Sequence, residues 1–268
     1  MTDLTQDEID QLPRVQMGRR ELLLGLAAGT VIPLTAAGCA TDGAVGQFLV
    51  SDAQIQQASQ GAWQEALQRE QLSRDTRLQR RVERVGRRMV PTSGLTQYDW
   101  EFVVFESDVE NAWVLPNGKV AFYRGILDNM DNDDQIAVVM GHEMGHVRRN
   151  HAAQRARQQT AAGIGLAVVS AGLGAADVEN AAQWSGILGA GVTFGVLLPY
   201  SRQHEFEADQ LGVDYMAASG YRPSEAIRFW EGMSARSRGA PPALLSTHPS
   251  NSQRMDALRS HIATNQYA

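Results

Sequence analysis

From about Asp52 to Arg88 the chain is rich in Gln, Glu, Ala, Leu and Arg, a composition that predicts helix. The end of this stretch, RLQRRVERVGRR, is strongly basic. It reads either as a solvated helix face or as a contact for an anionic partner or membrane surface. The pattern then changes. YDWEFVVFES and NAWVLPNGKVAFYRGIL are dense in aromatic and β-branched residues, which predicts strands. PNG, Pro116 to Gly118, marks a turn between AWVL and KVAFY. From Asp131 onward nearly everything reads as helix. DNDDQIAVVMGHEMGHVRRNHAAQRARQQ opens on Asp and Asn capping candidates and continues with good helix formers. Two apolar stretches follow, Thr160 to Ala176 and Trp184 to Tyr200. Both are short and rich in Ala and Gly, and they fit close-packed core helices better than a membrane hairpin. No segment repeats at a fixed period. These elements predict an α+β fold, mostly helical, with a small antiparallel sheet.

Composition sets limits on that picture. The chain has 268 residues, 43% of them hydrophobic, enough to bury a real core in one large domain or two small ones. A formal net charge of -6 gives no support for a nucleic-acid partner. A single cysteine, Cys39, excludes an internal disulfide and a Cys-rich metal site, so any metal must be held by His, Asp or Glu.

The start of the chain explains that cysteine. Arg19 and Arg20 precede an apolar run from Leu22 to Leu34, and small residues and Cys39 follow. Basic, apolar, small is the order of a secretory signal, and the run falls short of the roughly 20 residues of a membrane span. GRRELLL resembles a twin-arginine export signal. AAGC resembles a bacterial lipoprotein cleavage box, with Ala36 where Leu is more usual. On that reading residues 1–38 are a signal peptide, Cys39 is the lipidated first residue, 39–51 are a tether and 52–268 form the working domain. The alternative is an uncleaved N-terminal anchor with an incidental Cys.

The stretch VVMGHEMGHVRRNH carries candidate chemistry. On a helix, His142 and His146 lie on one face, where a single zinc ion at about 2.0–2.1 Å from each imidazole nitrogen can bridge them. Glu143, turned by about 100°, lies beside that point and can act on water there. It would take a proton as the water attacks a peptide carbonyl and pass it to the leaving nitrogen. The zinc would polarise the carbonyl oxygen.

The H-E-x-x-H pattern alone is not decisive, since chance produces it in on the order of one in a hundred chains of this length. A catalytic zinc also needs a third protein ligand. On a continuous helix His151 is rotated by about 140° and 180° from His146 and His142. Arg149 and Ala152 stand where a metzincin continuation needs Gly and His. His151 therefore reads as a surface or outer-layer histidine. Further on, SRQHEFEADQLGVDYM reads as a helix with Glu205 and Asp209 one turn apart. Glu205 can complete a His, His, Glu set, and Asp209 can accept a hydrogen bond from a ligand histidine's outer nitrogen. Equally, both can be ordinary solvated acids. Glu207, rotated by about 200° from Glu205, should point away.

HEMGH, then SRQHEFEAD, then STHPSNSQRM, in this order, resemble the HtpX and CAAX-prenyl-protease type of zinc metallopeptidase, family forty-eight of the metallopeptidases. The signal-bearing start resembles that family's soluble periplasmic branch. The resemblance runs from the β region to the C-terminus and implies a zincin-type (gluzincin) domain. It implies one zinc ion on His142, His146 and Glu205, with Glu143 as general base. It also implies outer roles for Asp209 and Arg202, and an edge strand for substrate backbone beginning at Asn111 and Ala112. His248 would lie near the metal, either donating to the oxyanion or holding a fourth metal position in a resting state. The implied work is quality control in the bacterial cell envelope, on misfolded or stalled membrane and outer-membrane proteins. The implied place is the periplasm, on a lipid anchor to the outer rather than the inner membrane. Two other readings stay open. One is a chaperone-like assembly lipoprotein with a structural zinc, which has no need of Glu143. The other is an integral membrane protease spanning through Thr160 to Tyr200.

Overall fold

A computed structural model describes residues 51–158, 200–236 and 242–267. Cys39, the export signal and most of the two apolar stretches lie outside the described residues. Helices α1 (Asp52–Arg69) and α2 (Thr76–Ser93) come first. Strands β1 (Glu101–Phe105), β2 (Ala112–Val114) and β3 (Lys119–Tyr123) follow, then a short helix α3 (Arg124–Leu127) and α4 (Asp133–Arg148). After the second gap come α5 (Arg202–Ala218), α6 (Ser224–Arg236), α7 (Ala243–Thr247) and α8 (Ser252–Thr264). No helix among the described residues is long and apolar enough to cross a membrane.

The single helix expected over Asp52 to Arg88 is two. Glu70 ends α1 in extended backbone, and Asp75 starts α2 afresh by accepting from the main-chain N–H groups of Arg77 and Leu78. Between them the chain runs alongside β1, where Ser73 N–H donates to Val104 C=O at 2.8 Å.

The sheet is mixed rather than antiparallel, with strand order β1-β3-β2. β2 and β3 form the expected hairpin around PNG, closed by Gly118 at φ 83°. β1 does not continue that meander. It crosses to the far side of β3 and runs parallel to it, Phe102 beside Val120. Both faces of the sheet are covered. Phe102, Val104, Val120 and Phe122 pack with α2 and α4 residues, whereas Val103, Phe105, Trp113 and Ala121 pack around Trp63 of α1. Burial on both faces explains why EFVVF shows no polar alternation.

α4 enters the core behind the sheet. Asn132 caps it, and Asp133 and Asp134 lie in its first turn, near the positive end of the helix dipole. Ile136, Ala137, Val139 and Met140 are almost wholly buried. α5 crosses α4 very closely, because glycines face each other there. A Cβ on Gly141 would come within 2.7 Å of Gly212 O, and one on Gly145 within 2.8 Å of Ala208 Cα. This close crossing brings the polar residues of the two helices together.

Candidate active site

Four residues turn into one point between α4, α5 and the loop after α7. His142 and His146 lie on one face of α4 with their Nε2 atoms 3.0 Å apart. Glu205, in the first turn of α5, reaches both: its Oε2 is 3.4 Å from His142 Nε2, and its Oε1 is 3.5 Å from His146 Nε2. His248, which caps α7, brings Nδ1 to 3.0 Å from His142 Nε2 and 3.2 Å from Glu205 Oε1. One donor atom from each of the four lies within 4.8 Å of the others, and all four side chains are buried. Imidazole nitrogens with a carboxylate oxygen are a donor set suited to zinc-like cations. Orphaned atoms fit the same reading. Glu143 Oε1 and Glu205 Oε2 are buried without a hydrogen-bond partner. The latter has ionic contacts with Arg254 Nη1 at 2.7 Å and His142 Nε2 at 3.4 Å, both outside hydrogen-bond geometry. A buried carboxylate oxygen is costly unless a cation or donor meets it.

Glu143 lies beside this point, its Oε1 3.3 Å from His248 Nε2. Burial raises its proton affinity, and His248, His142 and the main-chain N–H of Val114 draw it back only in part. Burial pushes Glu205 up too, but His248, Arg254 and His142 outweigh it and hold this carboxyl well below its ordinary range. Burial lowers both α4 histidines. Glu205 and Asp209 overcome that at His142, which sits at about 9, whereas His146 stays well below its ordinary value.

Asp209 stands where spacing put it, its Oδ1 2.9 Å from His142 Nδ1. Arg202 does not: its side chain is exposed at the start of α5. The arginine in contact with the cluster is Arg254, 1% exposed. It forks onto Asp209 through Nε and Nη2, and Nη1 donates to the carbonyls of His248 at 3.3 Å and Pro249 at 3.2 Å. Its guanidinium lies 4.2 Å from the Trp230 ring, which meets His142 edge-on. Sequence reasoning missed Arg254 and Trp230. Nothing local in STHPSNSQRM marked the first, whose partner Asp209 lies 45 residues upstream. Tyr200 was missed as well; its ring stacks on His146 at 3.9 Å. Of the two places open to His151, surface or outer layer, it takes the outer layer: it is fully buried with its Nδ1 3.0 Å from that of His146, and Glu207 points toward it rather than away.

β2 is one of the two edge strands of the sheet among the described residues and lies against α4. Tyr123 N–H donates to Asn111 C=O at 3.1 Å, and Leu115 N–H to Lys119 C=O at 2.9 Å. Odd-numbered residues of this strand thus face β3, and Ala112 and Val114 turn their main-chain groups to the other side, where the Val114 N–H meets Glu143. Asn111 is different: its N–H donates to Val109 C=O, its C=O is taken, and its Oδ1 is buried without a partner. A cavity of about 150 Å³ opens beside this edge, lined by Ile55, Tyr98, Val114, Pro116, His146 and Tyr200 among others.

The family model for peptidase family M48 matches residues 76–262, well over half of the chain. The chain belongs to that family. The match begins at α2 and ends within α8, so the whole cluster falls inside it. Among curated relatives, mitochondrial metalloendopeptidase OMA1 of Schizosaccharomyces pombe is 36% identical over 65% of this chain and 50% of its own length. Metalloprotease YcaL of Escherichia coli is 30% identical over 60% of this chain and 61% of its own. The β-barrel assembly-enhancing protease of Escherichia coli is 30% identical over 66% and 37% respectively. The chain thus spans less than two thirds of these M48 relatives.

Proposed function

We propose that the protein is a zinc metalloendopeptidase of the bacterial cell envelope. The observation that carries the reading is the convergence of His142, His146 and Glu205 beside a buried Glu143 whose Oε1 has no hydrogen-bond partner. In this reading His142, His146 and Glu205 hold one zinc ion. When bound, the ion supplies Lewis acidity for polarising a carbonyl and acidifying water. Glu143 is the general base, and its burial favours the higher proton affinity that such a group needs. It accepts a proton at Oε1, which has no hydrogen-bond partner, and returns it to the leaving amine. Asp209 accepts from His142 Nδ1, which leaves Nε2 as the ligand atom. The main-chain groups of Ala112 and the C=O of Val114, on the side away from β3, hold substrate backbone as an added strand, with Asn111 Oδ1 at its end. His248 Nδ1 sits among the ligand atoms, which favours a fourth metal position in the resting site over an oxyanion donor. A catalytic site needs a position for water or substrate, so in this reading His248 would either give up its place near the cluster or share the metal with a fifth ligand.

The finer placement is also a proposal: the periplasmic branch of the HtpX type, with residues 1–38 as signal, Cys39 lipidated, 39–51 as tether and 52–268 as the peptidase domain. Substrates would be unfolded or misassembled envelope proteins, as the name of one relative, the β-barrel assembly-enhancing protease, suggests. A chaperone with a purely structural zinc has no use for Glu143 in its buried, half-paired state. Metal analysis of the purified chain, combined with casein digestion before and after chelation, tests the reading. About one zinc per chain and chelator-sensitive cleavage are expected. A metal-free, inactive preparation that zinc does not restore would overturn it.

A further inference from the structure

α4 stops at Arg148, and Asn150 takes the left-handed conformation at φ 53° before helical backbone resumes at residue 151. This kink brings His151 back beneath the ligand cluster. Its ring centroid lies 5.0 Å from that of His146, and the two Nδ1 atoms are 3.0 Å apart. On its other side, His151 Nε2 lies 3.4 Å from Glu207 Oε2. The His204 ring stacks on His151 at 4.2 Å and fixes its plane.

Hydrogen-bond roles follow from which atoms face the cluster. His146 Nε2 is the atom beside His142 and Glu205, so it carries the lone pair when a cation is held. The proton of neutral His146 must then sit on Nδ1, facing His151. Two ring nitrogens in contact need one donor and one acceptor. His151 Nδ1 therefore accepts, and the His151 proton lies on Nε2, where it donates to the Glu207 carboxylate. The two histidines of α4 are thus held differently. His142 rests directly on Asp209, itself clamped by Arg254, whereas His146 is linked to its carboxylate through a second imidazole.

We infer that His151, with Glu207 behind it, is a positioning residue that fixes the tautomer and ring orientation of His146 for the metal. The inference rests on the metallopeptidase reading above. Outer partners of metal-bound histidines are worth roughly 10- to 100-fold in metal affinity. The test is zinc affinity of the full chain by chelator competition, alongside the visible spectrum of the Co²⁺-loaded protein. Variants are His151→Leu, His151→Asn and Glu207→Ala. His151→Leu should weaken zinc by roughly 10- to 100-fold and alter the Co²⁺ bands. His151→Asn keeps an acceptor near the position of Nδ1 and should recover most of the loss. Glu207→Ala, a change near the surface, should weaken zinc in the same direction, and it decides the matter if His151→Leu does not fold. Wild-type zinc affinity in a folded His151→Leu or in Glu207→Ala would overturn the inference, as would equal losses in Leu and Asn. If the wild-type chain itself binds no zinc, the metallopeptidase reading fails first, and that outcome is distinct.

Discussion

Glu143 and Glu205 are both buried in one cluster, yet their neighbours drive them to opposite states. Glu143 keeps a raised proton affinity because burial exceeds the pull of His248 and His142. Glu205 faces Arg254 as well and stays ionised. A base needs the first condition and an anionic ligand the second. Glu143→Gln should therefore retain about one zinc per chain, while casein cleavage falls by at least about 10²-fold. Glu205→Ala should lose the metal, as measured by elemental analysis after gel filtration. A Gln variant that digests casein at the wild-type rate would remove Glu143 from the chemistry. Arg254 raises a stability question at the same scale. Replacing it with Met leaves Asp209 buried, 4% exposed, without its counter-charge. Breaking a buried pair in this way costs about 3–5 kcal/mol, which a urea unfolding midpoint will register. Arg254→Lys should recover only part of that, because an ammonium cannot reproduce the fork onto Asp209. An unshifted midpoint in Arg254→Met would contradict the account. His142, Glu143 and His146 were legible in the sequence because their geometry is local to one helix. Asp209 was legible too, one turn beyond Glu205. Arg254 was not, because its partner Asp209 lies 45 residues away and only the fold joins them. Arg202 attracted attention through its motif position, but it lies in the first turn of α5 on the side facing solvent.

Helices α4 and α5 carry three of the four candidate ligands between them, so their separation sets the site. Gly145→Ala pits two effects against each other. Alanine is favoured over glycine in a helix by about 1 kcal/mol. The added Cβ, however, would meet Ala208 Cα and O at 2.8 Å, and backbone atoms cannot swing aside. Overpacking of this kind costs about 1–3 kcal/mol, so the net sign is destabilising. The forced separation should also move Glu205 away from His146, so zinc affinity should fall together with the unfolding midpoint. Gly61→Ala is the control: its Cβ meets nothing within 4 Å, and it should stabilise by about 0.5–1 kcal/mol. A stabilised, metal-tight Gly145→Ala would show that the close crossing is not needed. The junction of α2 and α4 predicts a pH effect. Burial pushes the Asp133 carboxyl up, but Arg84 and Arg81 outweigh it and leave it below its ordinary value. A depressed folded value means that the contribution is present above about pH 4 and is lost as pH falls through the folded value. The part-exposed pair is worth at most about 1 kcal/mol, and Asp133→Asn should flatten the acid limb of the stability curve by that amount. An unchanged acid limb would refute it. At this scale the strands and the PNG turn were legible from residue type. The parallel pairing of β1 was not, because alternation along a strand does not tell which neighbour it chooses. The break at Asn150 was hidden among good helix formers, which is why His151 was read as lying away from His146.

At the scale of the whole molecule, the proposed envelope placement raises the question of what would hold the peptidase domain at a membrane. The described helices offer no span, and the basic face of α2 is largely paired: Arg77 with Asp75, Arg81 and Arg84 with Asp133, Arg87 with Glu83. That pairing fits the solvated reading of the RLQRRVERVGRR stretch better than an anionic surface. Three candidates remain: a lipid on Cys39, an uncleaved N-terminal segment, and the apolar stretches between Thr160 and Tyr200. They predict different things for one substitution. Each buried CH₂ of an acyl chain contributes about 0.8 kcal/mol, so a lipid supplies membrane affinity that the protein part need not share. Cys39→Ser should then abolish incorporation of labelled fatty acid and move the protein from the membrane pellet to the soluble fraction. Its zinc content and casein cleavage should be unchanged, since the candidate site lies in α4, α5 and the loop after α7. A chain begun at residue 40, exported by an unrelated cleavable signal, should behave the same way without detergent. If instead Cys39→Ser stays in the pellet, the residue-40 chain distinguishes the two remaining anchors. Its release would point to an uncleaved N-terminal segment. Its continued sedimentation would point to the Thr160 to Tyr200 stretches and to an integral membrane protease.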